Sequence, residues 1–251
     1  MRPEVLLASA AAAVAAGLIG CFAVMRRMAL AADALSHVAL PGIGIALALH
    51  VHPLFGAVTM LFFGALLVWA LEDRSRLTTE TIIGVVFSTA LAIGSMLASG
   101  EDLIDALFGG AGTPSWPEVV FVAVVSAAVV VFVVRRKNDL VVALVSPDIA
   151  RTVGIDIRRL DLLYLQMFVL TIALGLRYLG VLLMGSLVII PAATARRFTN
   201  QLTHMLVTAA VVALIVTVSG TYIASWLHRE TGPVIVTFAA GVFFLSLLSR
   251  R

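Results

Sequence analysis

The sequence predicts an all-α fold, a polytopic transmembrane helix bundle of about eight to nine spans. The prediction rests on a hydrophobic content of 61%, a charged content of only 12%, and a mean hydropathy of +1.11. Soluble domains average about 45–50% apolar and about 25% charged residues. Because apolar runs of roughly 20 residues recur along the chain, lipid must be the solvent for much of it. We expect a single transmembrane domain over residues 1–251.

Nine apolar segments follow one another, separated by short charged or Pro/Gly-bearing breaks. The predicted spans are residues 5–25, 33–50, 53–71, 80–99, 117–134, 160–179, 181–195, 204–227 and 234–249. The first is too long and wrongly flanked for a cleaved signal peptide. The seventh would be only about 22 Å long, short of a hydrocarbon core of roughly 30 Å. Short, interrupted segments point to a transport site, and eight spans result if the second or seventh segment is re-entrant.

The basic residues orient the bundle. Of the 17 Lys and Arg residues, all but Arg2, Arg177 and Arg229 fall on one predicted side of the membrane. Because cytoplasmic loops are enriched in Lys and Arg, we expect that side to be the cytoplasmic one. Nine spans then place the C-terminus inside and the N-terminus outside. This distribution explains the net charge of +3 without a nucleic-acid partner.

Several catalytic motifs are absent from the sequence. The only lysine, Lys137, follows Arg136, so a G-x-x-x-x-G-K-[ST] phosphate loop cannot form. Neither H-E-x-x-H nor G-x-S-x-G occurs. The single cysteine, Cys21, is predicted to pack as a small apolar residue. The chain is therefore not expected to be an enzyme, and any ATP that drives it is hydrolysed by another chain.

Asp33 and His37 are the candidate metal ligands. They are four residues apart, so they share one face of a helix. If that helix begins near Ala29, His37 lies about 12 Å along it, close to the bilayer midplane. A carboxylate with an imidazole suits Zn²⁺, Mn²⁺ or Fe²⁺. From the pattern alone, a packing ion pair and a proton relay remain alternatives to metal contact.

Prolines and a glycine mark candidate hinges at Pro41, Gly42 and Pro191. Pro41 has no N–H, so the carbonyl of His37 loses its usual helical partner. We expect the free carbonyl either to mark a hinge in the helix or to act as a further oxygen ligand.

Residues 146–158 predict a cytoplasmic segment that begins with a short helix. Ser146 can cap the helix, Pro147 suits its first turn, and Asp148 favours its positive N-terminus. An apolar face and a terminating glycine follow, formed by Ile149, Ala150 and Val153 and by Gly154. The pattern fits a contact surface for an ATPase and equally a solvated connecting turn.

A third group of candidates lies on the predicted outer side. His50, His52 and His228 accompany several acidic residues there, namely Glu101, Asp102, Asp105 and Glu230. Such groups would attract metal cations to an outer mouth. Ordinary interfacial polarity is the alternative interpretation.

Several stretches resemble the zinc/manganese permeases of ATP-binding-cassette (ABC) importers. Asp33-Ala34-Leu35-Ser36-His37 resembles the signature of their second helix, and Ile-Ile-Pro-Ala-Ala-Thr-Ala-Arg-Arg at residues 189–197 is the most specific match. The other matching stretches are residues 26–30, 40–42, 76–84 (where Glu80 replaces a more usual Asp), 107–109, 146–148 with Gly154, and 232–233. The matches run in order along nearly the whole chain.

The resemblance implies a type II ABC importer-like permease in the bacterial cytoplasmic (inner) membrane. It implies a homodimer that works with two cytoplasmic ABC ATPase subunits and an extracytoplasmic metal-binding protein. It also implies that Asp33 and His37 contact the ion and that residues 146–158 contact the ATPase. No cofactor is expected to be bound permanently. The cargo is Zn²⁺, or alternatively Mn²⁺ or Fe²⁺, and the zinc members are the most similar.

Two functions of other classes remain to be weighed. A proton-coupled transporter using Asp33 and His37 as a relay would transport without an ATPase. An intramembrane enzyme would turn over substrate as the purified chain. The coupling segment argues against the first, and the absent catalytic motifs argue against the second.

Overall fold

A computed structural model describes residues 3–75, 77–97 and 115–248, without the side chains of residues 73 and 177–182. The acidic residues Glu101, Asp102 and Asp105, the stretch 107–109 and Arg76 lie outside the described residues.

In these ranges the chain forms ten helices. They are α1 (Pro3–Met25), α2 (Ala29–His37), α3 (Ala39–Ala48), α4 (Pro53–Ser75), α5 (Thr79–Leu97), α6 (Trp116–Val145), α7 (Pro147–Thr152), α8 (Ile157–Phe198), α9 (Leu202–Leu227) and α10 (Thr231–Leu248). Eight spans are long and apolar enough to cross a membrane, with α2 and α3 counting together as Ala29–Ala48. The predicted all-α transmembrane bundle is confirmed.

The longest element, α8, contains 42 helical residues but reverses direction within its length. Near its start, the Asp161 carboxylate forms an ion pair with the Arg26 guanidinium at 2.7 Å. Near its end, the Arg196 guanidinium donates a hydrogen bond to the Val24 carbonyl at 3.3 Å. In a straight helix, residues 161 and 196 would be about 52 Å apart. Both lie instead beside the C-terminal end of α1, so the helical stretch must fold back. A Cβ on Gly175 would contact the Met184 side chain, which places the reversal between these residues.

The reversal divides α8 into a long first arm, Ile157–Leu176, and a shorter return arm, residues 183–198. The sequence predicted two spans here, at residues 160–179 and 181–195, whereas the structure keeps the helical backbone continuous through the turn. Only the first arm is among the eight candidate spans. Because the return arm runs back, Arg196 stays at the end of the bundle that holds Arg26, as the charge pattern predicted.

Helix α1 lies at the centre of the bundle and is buried along most of its length. Tyr164 of the first arm donates to the carbonyl of Ile19 at 3.3 Å. Gly20 faces the main chain of Val188 in the return arm, and Gly17 faces Ala209 in α9. Small residues let membrane helices approach closely, so the small residues of α1 allow both arms of α8 to pack on one helix.

We expect Gly20→Ala to destabilise the protein by about 1–3 kcal/mol, because the new methyl group would collide with the Val188 carbonyl and separate α1 from α8. Thermal unfolding of the purified protein in detergent measures the effect. Gly241→Ala is the matched control, since a Cβ there meets nothing within 4 Å. Equal unfolding temperatures for the two variants would contradict the close approach.

Candidate functional site

The α-helix of the second membrane span is interrupted directly after the candidate ligands. Helix α2 ends at His37 and α3 begins at Ala39. Between them, the Val38 N–H donates to the Leu35 carbonyl at 3.1 Å, a tighter turn than an α-helical one. Pro41 explains the location, because it supplies no N–H to the His37 carbonyl. Gly42, which was also predicted as a hinge, packs closely against α4, since a Cβ there would collide with the Gly56 carbonyl.

Asp33 and His37 face each other across one helical turn. The distance from His37 Nε2 to Asp33 Oδ1 is 4.0 Å, with side-chain exposures of 19% for His37 and 53% for Asp33. His37 Nδ1 is buried and makes no hydrogen bond to any described residue. The two groups are close enough to approach one ion, and they are too far apart for a hydrogen bond between them.

Two residues from other helices frame this pair. Gly185, in the return arm of α8, lies against Asp33. Phe87 of α5 packs on the imidazole of His37, with ring centroids 5.6 Å apart and planes inclined by 55°. The carboxylate and the imidazole are therefore each supported from one side by a neighbouring helix.

The exposed side of Asp33 requires a polar neighbour. A charged side chain near the bilayer centre costs at least about 2.5 kcal/mol when it faces lipid. A half-exposed carboxylate inside the span Ala29–Ala48 is therefore expected to face water or another protein surface. Its open side leaves room for a cation beside the carboxylate.

The described residues offer the candidate pair few further ligands for a metal ion. Among the described residues, no three His, Cys, Asp or Glu side chains are grouped closely enough to hold a metal ion. Zinc sites commonly have four ligands. An ion held by Asp33 and His37 would thus need further ligands from water, from main-chain carbonyls or from a second copy of the chain.

The outer histidines are exposed and lie in two separate turns. His50 follows α3 with φ +54°, and His228 follows α9 with φ +50°. His52 Nδ1 accepts the Leu54 N–H at 3.3 Å at the start of α4. None of the three belongs to a group of metal-ligating side chains within the described part of the chain. Attraction of cations by these residues stays a prediction.

The predicted coupling segment, residues 146–158, begins with a short helix as expected. Helix α7 begins at Pro147, and Ser146 Oγ accepts the Ile149 N–H at 3.4 Å. Gly154, with φ +81°, follows the helix. Ile149 and Val153 are 57% and 64% exposed, whereas Ala150 of the same helix is fully buried. The helix therefore shows an apolar surface to its surroundings.

Side chains tie the residues that follow α7 to the membrane helices. Trp69 of α4 donates its indole N–H to the Arg158 carbonyl at 3.0 Å, and the Arg158 guanidinium lies 4.6 Å from the Trp69 ring centroid. Arg26 pairs with Asp161 and lies 4.6 Å from the Tyr164 ring centroid. These contacts join the end of the predicted coupling segment and the start of α8 to α4 and α1.

Sequence reasoning singled out the candidate pair Asp33 and His37 and predicted the short helix, but it missed most of the residues that support them. In the sequence, Gly185 was only one of many small residues in the spans, and no feature of the sequence distinguished Phe87 from other apolar residues. Asp161 was detectable as an acidic residue at the start of an apolar run, and Trp69 as an aromatic residue near a membrane boundary.

Comparison with known proteins decides the family, since the sequence profile described as the ABC 3 transport family matches residues 1–250. The chain belongs to the ABC 3 transport family. Its relatives include the high-affinity zinc uptake system membrane protein ZnuB of Haemophilus influenzae, which is 30% identical over 93% of this chain and 91% of that protein. The manganese transport system membrane protein MntC of Listeria monocytogenes is 28% identical, with 98% and 89% covered. The chelated iron transport system membrane protein YfeD of Yersinia pestis is 30% identical, with 97% and 83% covered.

The same fold occurs in a protein of known structure. PsaBC from Streptococcus pneumoniae, in complex with a Fab, superposes with a TM-score of 0.83 and 26% identity, covering 97% of this chain and 90% of that chain. The predicted resemblance is thereby confirmed. This ABC 3 transport family chain is a multi-span permease of the bacterial inner membrane and is not itself an enzyme.

Proposed function

We propose that this chain is the permease subunit of an ABC importer that moves a divalent transition metal ion, preferentially Zn²⁺, into the cytoplasm. Family membership supports the general class, an ABC metal importer permease. The observation that carries the proposed ion path is the Asp33–His37 pair, a half-exposed carboxylate and an imidazole on one helix face within a membrane span.

Partner chains would complete the assembly, since no three metal-ligating side chains are grouped among the described residues. A second copy would complete a site to which each chain offers two ligands. Two cytoplasmic ABC ATPases would supply the energy, because the only lysine, Lys137, cannot form a phosphate loop. Ile149 and Val153 offer these ATPases an exposed apolar surface. An extracytoplasmic metal-binding protein would deliver the ion to the outer side.

The preference for zinc rests on sequence resemblance. An imidazole with a carboxylate suits Zn²⁺ as well as Mn²⁺ and Fe²⁺. The stretches at residues 189–197 and 231–233 resemble the zinc members more than the manganese members. Manganese and iron are the alternative cargoes, as the names of relatives indicate.

Competitive uptake tests the cargo. Cells that carry the complete importer are supplied with radioactive Zn²⁺ and an excess of unlabelled Zn²⁺, Mn²⁺ or Fe²⁺. We expect permease-dependent zinc accumulation that unlabelled zinc suppresses at much lower concentration than the other two ions do. Stronger suppression by Mn²⁺ or Fe²⁺ than by Zn²⁺ would show that this other metal, and not zinc, is the preferred cargo. Cells lacking this permease provide the background.

A further inference from the structure

The return arm of α8 approaches the candidate ion path at one residue. A Cβ placed on Gly185 would lie 3.0 Å from Asp33 Cα and 3.1 Å from Asp33 Oδ1. Both distances are shorter than the optimal contact between such atoms, about 3.5–4.0 Å for carbon. The absence of a side chain at Gly185 is therefore what allows α2 and the return arm to approach so closely here.

We propose that Gly185 is a positioning residue of the ion path, which seats the Asp33 carboxylate so that Oδ1 is directed toward His37 Nε2. This inference rests on the proposed function, in which Asp33 and His37 contact the transported metal. Gly185 itself is buried, whereas the Asp33 side chain is 53% exposed. One side of the carboxylate thus rests on the return arm while the other side stays open to a cation.

The contact of Gly185 differs from the other close approaches in the bundle. The close neighbour of Gly185 is an ionisable side chain, that of Asp33. Gly17 and Gly20 face main-chain carbonyls of α9 and α8, and Gly220 faces the apolar side chain of Ile235. Those glycines serve packing, while Gly185 also determines the place of a charged group.

The return arm is held firmly on its far side. Leu183, Met184, Leu187 and Val188 are fully buried in the core. Val188 lies against Gly20 of α1, and Arg196 donates to the Val24 carbonyl at 3.3 Å. Because the arm cannot retreat without disrupting these contacts, a methyl group at residue 185 would displace Asp33 instead.

Gly185→Ala is expected to raise the half-saturating Zn²⁺ concentration for uptake by about tenfold or more, because changes to residues that orient metal ligands typically cost 10–100-fold in affinity. The maximal rate and the amount of permease in the membrane should stay near wild type. The assay is radioactive zinc uptake by cells carrying the complete importer, over a range of zinc concentrations.

Two glycine variants separate positioning from packing. Gly17→Ala places a methyl group 2.8 Å from the Ala209 carbonyl oxygen, so it should lower thermal stability and leave the half-saturating concentration unchanged. Gly241→Ala meets nothing within 4 Å and should change neither. If Gly185→Ala behaves like Gly17→Ala, its role is packing and the proposal is wrong.

Asp33→Asn distinguishes failure of this inference from failure of the proposed function. If Asp33→Asn abolishes uptake while Gly185→Ala keeps the wild-type half-saturating concentration, the ion path stands and the positioning role falls. If Asp33→Asn transports normally, both fall. Should Gly185→Ala not accumulate in the membrane, Asp33→Glu moves the carboxylate by one methylene and keeps its charge. A rise of tenfold or more in the half-saturating zinc concentration is the expected result, and an unchanged value would show that the exact place of the carboxylate does not matter, which overturns positioning by Gly185.

Discussion

Asp33→Asn and His37→Ala are each expected to reduce metal uptake to the level of cells without the permease, while both variants still insert into the membrane. Asn keeps the shape of Asp but loses the charge that balances a divalent cation in a medium of low dielectric constant. Ala removes the imidazole, the softer of the two ligands. Radioactive zinc uptake by cells with the complete importer, together with immunoblots of the membrane fraction, measures both properties.

The double variant Asp33→Asn/His37→Ala separates ligands from a structural ion pair. If the pair only held the bundle together, each single change would leave one partner without its counterpart, and the double change would be milder than either. The geometry favours ligands, because the atoms are 4.0 Å apart and Asp33 is half-exposed. We expect the double variant to be folded and still inactive. Uptake that returns in the double variant would show that the pair is structural.

Asp139→Asn serves as the matched control for the loss of a carboxylate. Asp139 pairs with Arg136 at 2.9 Å on the same helix, outside the proposed ion path. Exposed ion pairs of this kind contribute about 0–1 kcal/mol. Uptake should therefore remain close to that of the wild type.

Replacing both Ile149 and Val153 with Asp is expected to release the ATPase from the permease. The two side chains are 57% and 64% exposed, so the changes should leave the fold of the permease intact. They would, however, place two charges on the apolar surface that the ATPase is proposed to cover. Co-purification from membranes in detergent measures the ratio of ATPase to permease, which should fall at least tenfold.

Arg151→Asp is the control on the same helix. Arg151 lies on the opposite side of α7 from Ile149, and it pairs with Asp148 at 3.2 Å on the exposed surface. This change introduces the same residue without altering the apolar surface, so most of the ATPase should remain bound. If the Ile149/Val153 variant keeps the wild-type ratio of ATPase to permease, residues 146–158 are not the contact surface for the ATPase.

Much of the site could be predicted because its signals are local. The four-residue spacing of Asp33 and His37 predicted a shared helix face, and the structure places the two side chains 4.0 Å apart. Ser146 and Pro147 predicted the start of a helix, and α7 begins there. In both cases a few consecutive residues contain the whole cause, so no knowledge of distant contacts was needed.

The sequence by itself determined the membrane setting, the helical class, the end of the bundle that collects the basic residues and the candidate ligand pair. These follow from composition, from runs of apolar residues and from short spacings, which act through the solvent and the nearest turn of helix. Only the tertiary structure decided that α8 folds back on α1, that Arg26 pairs with Asp161, and that Gly185 lies against Asp33. Each of these contacts joins residues far apart in the chain, and which ones meet depends on how all the helices pack together.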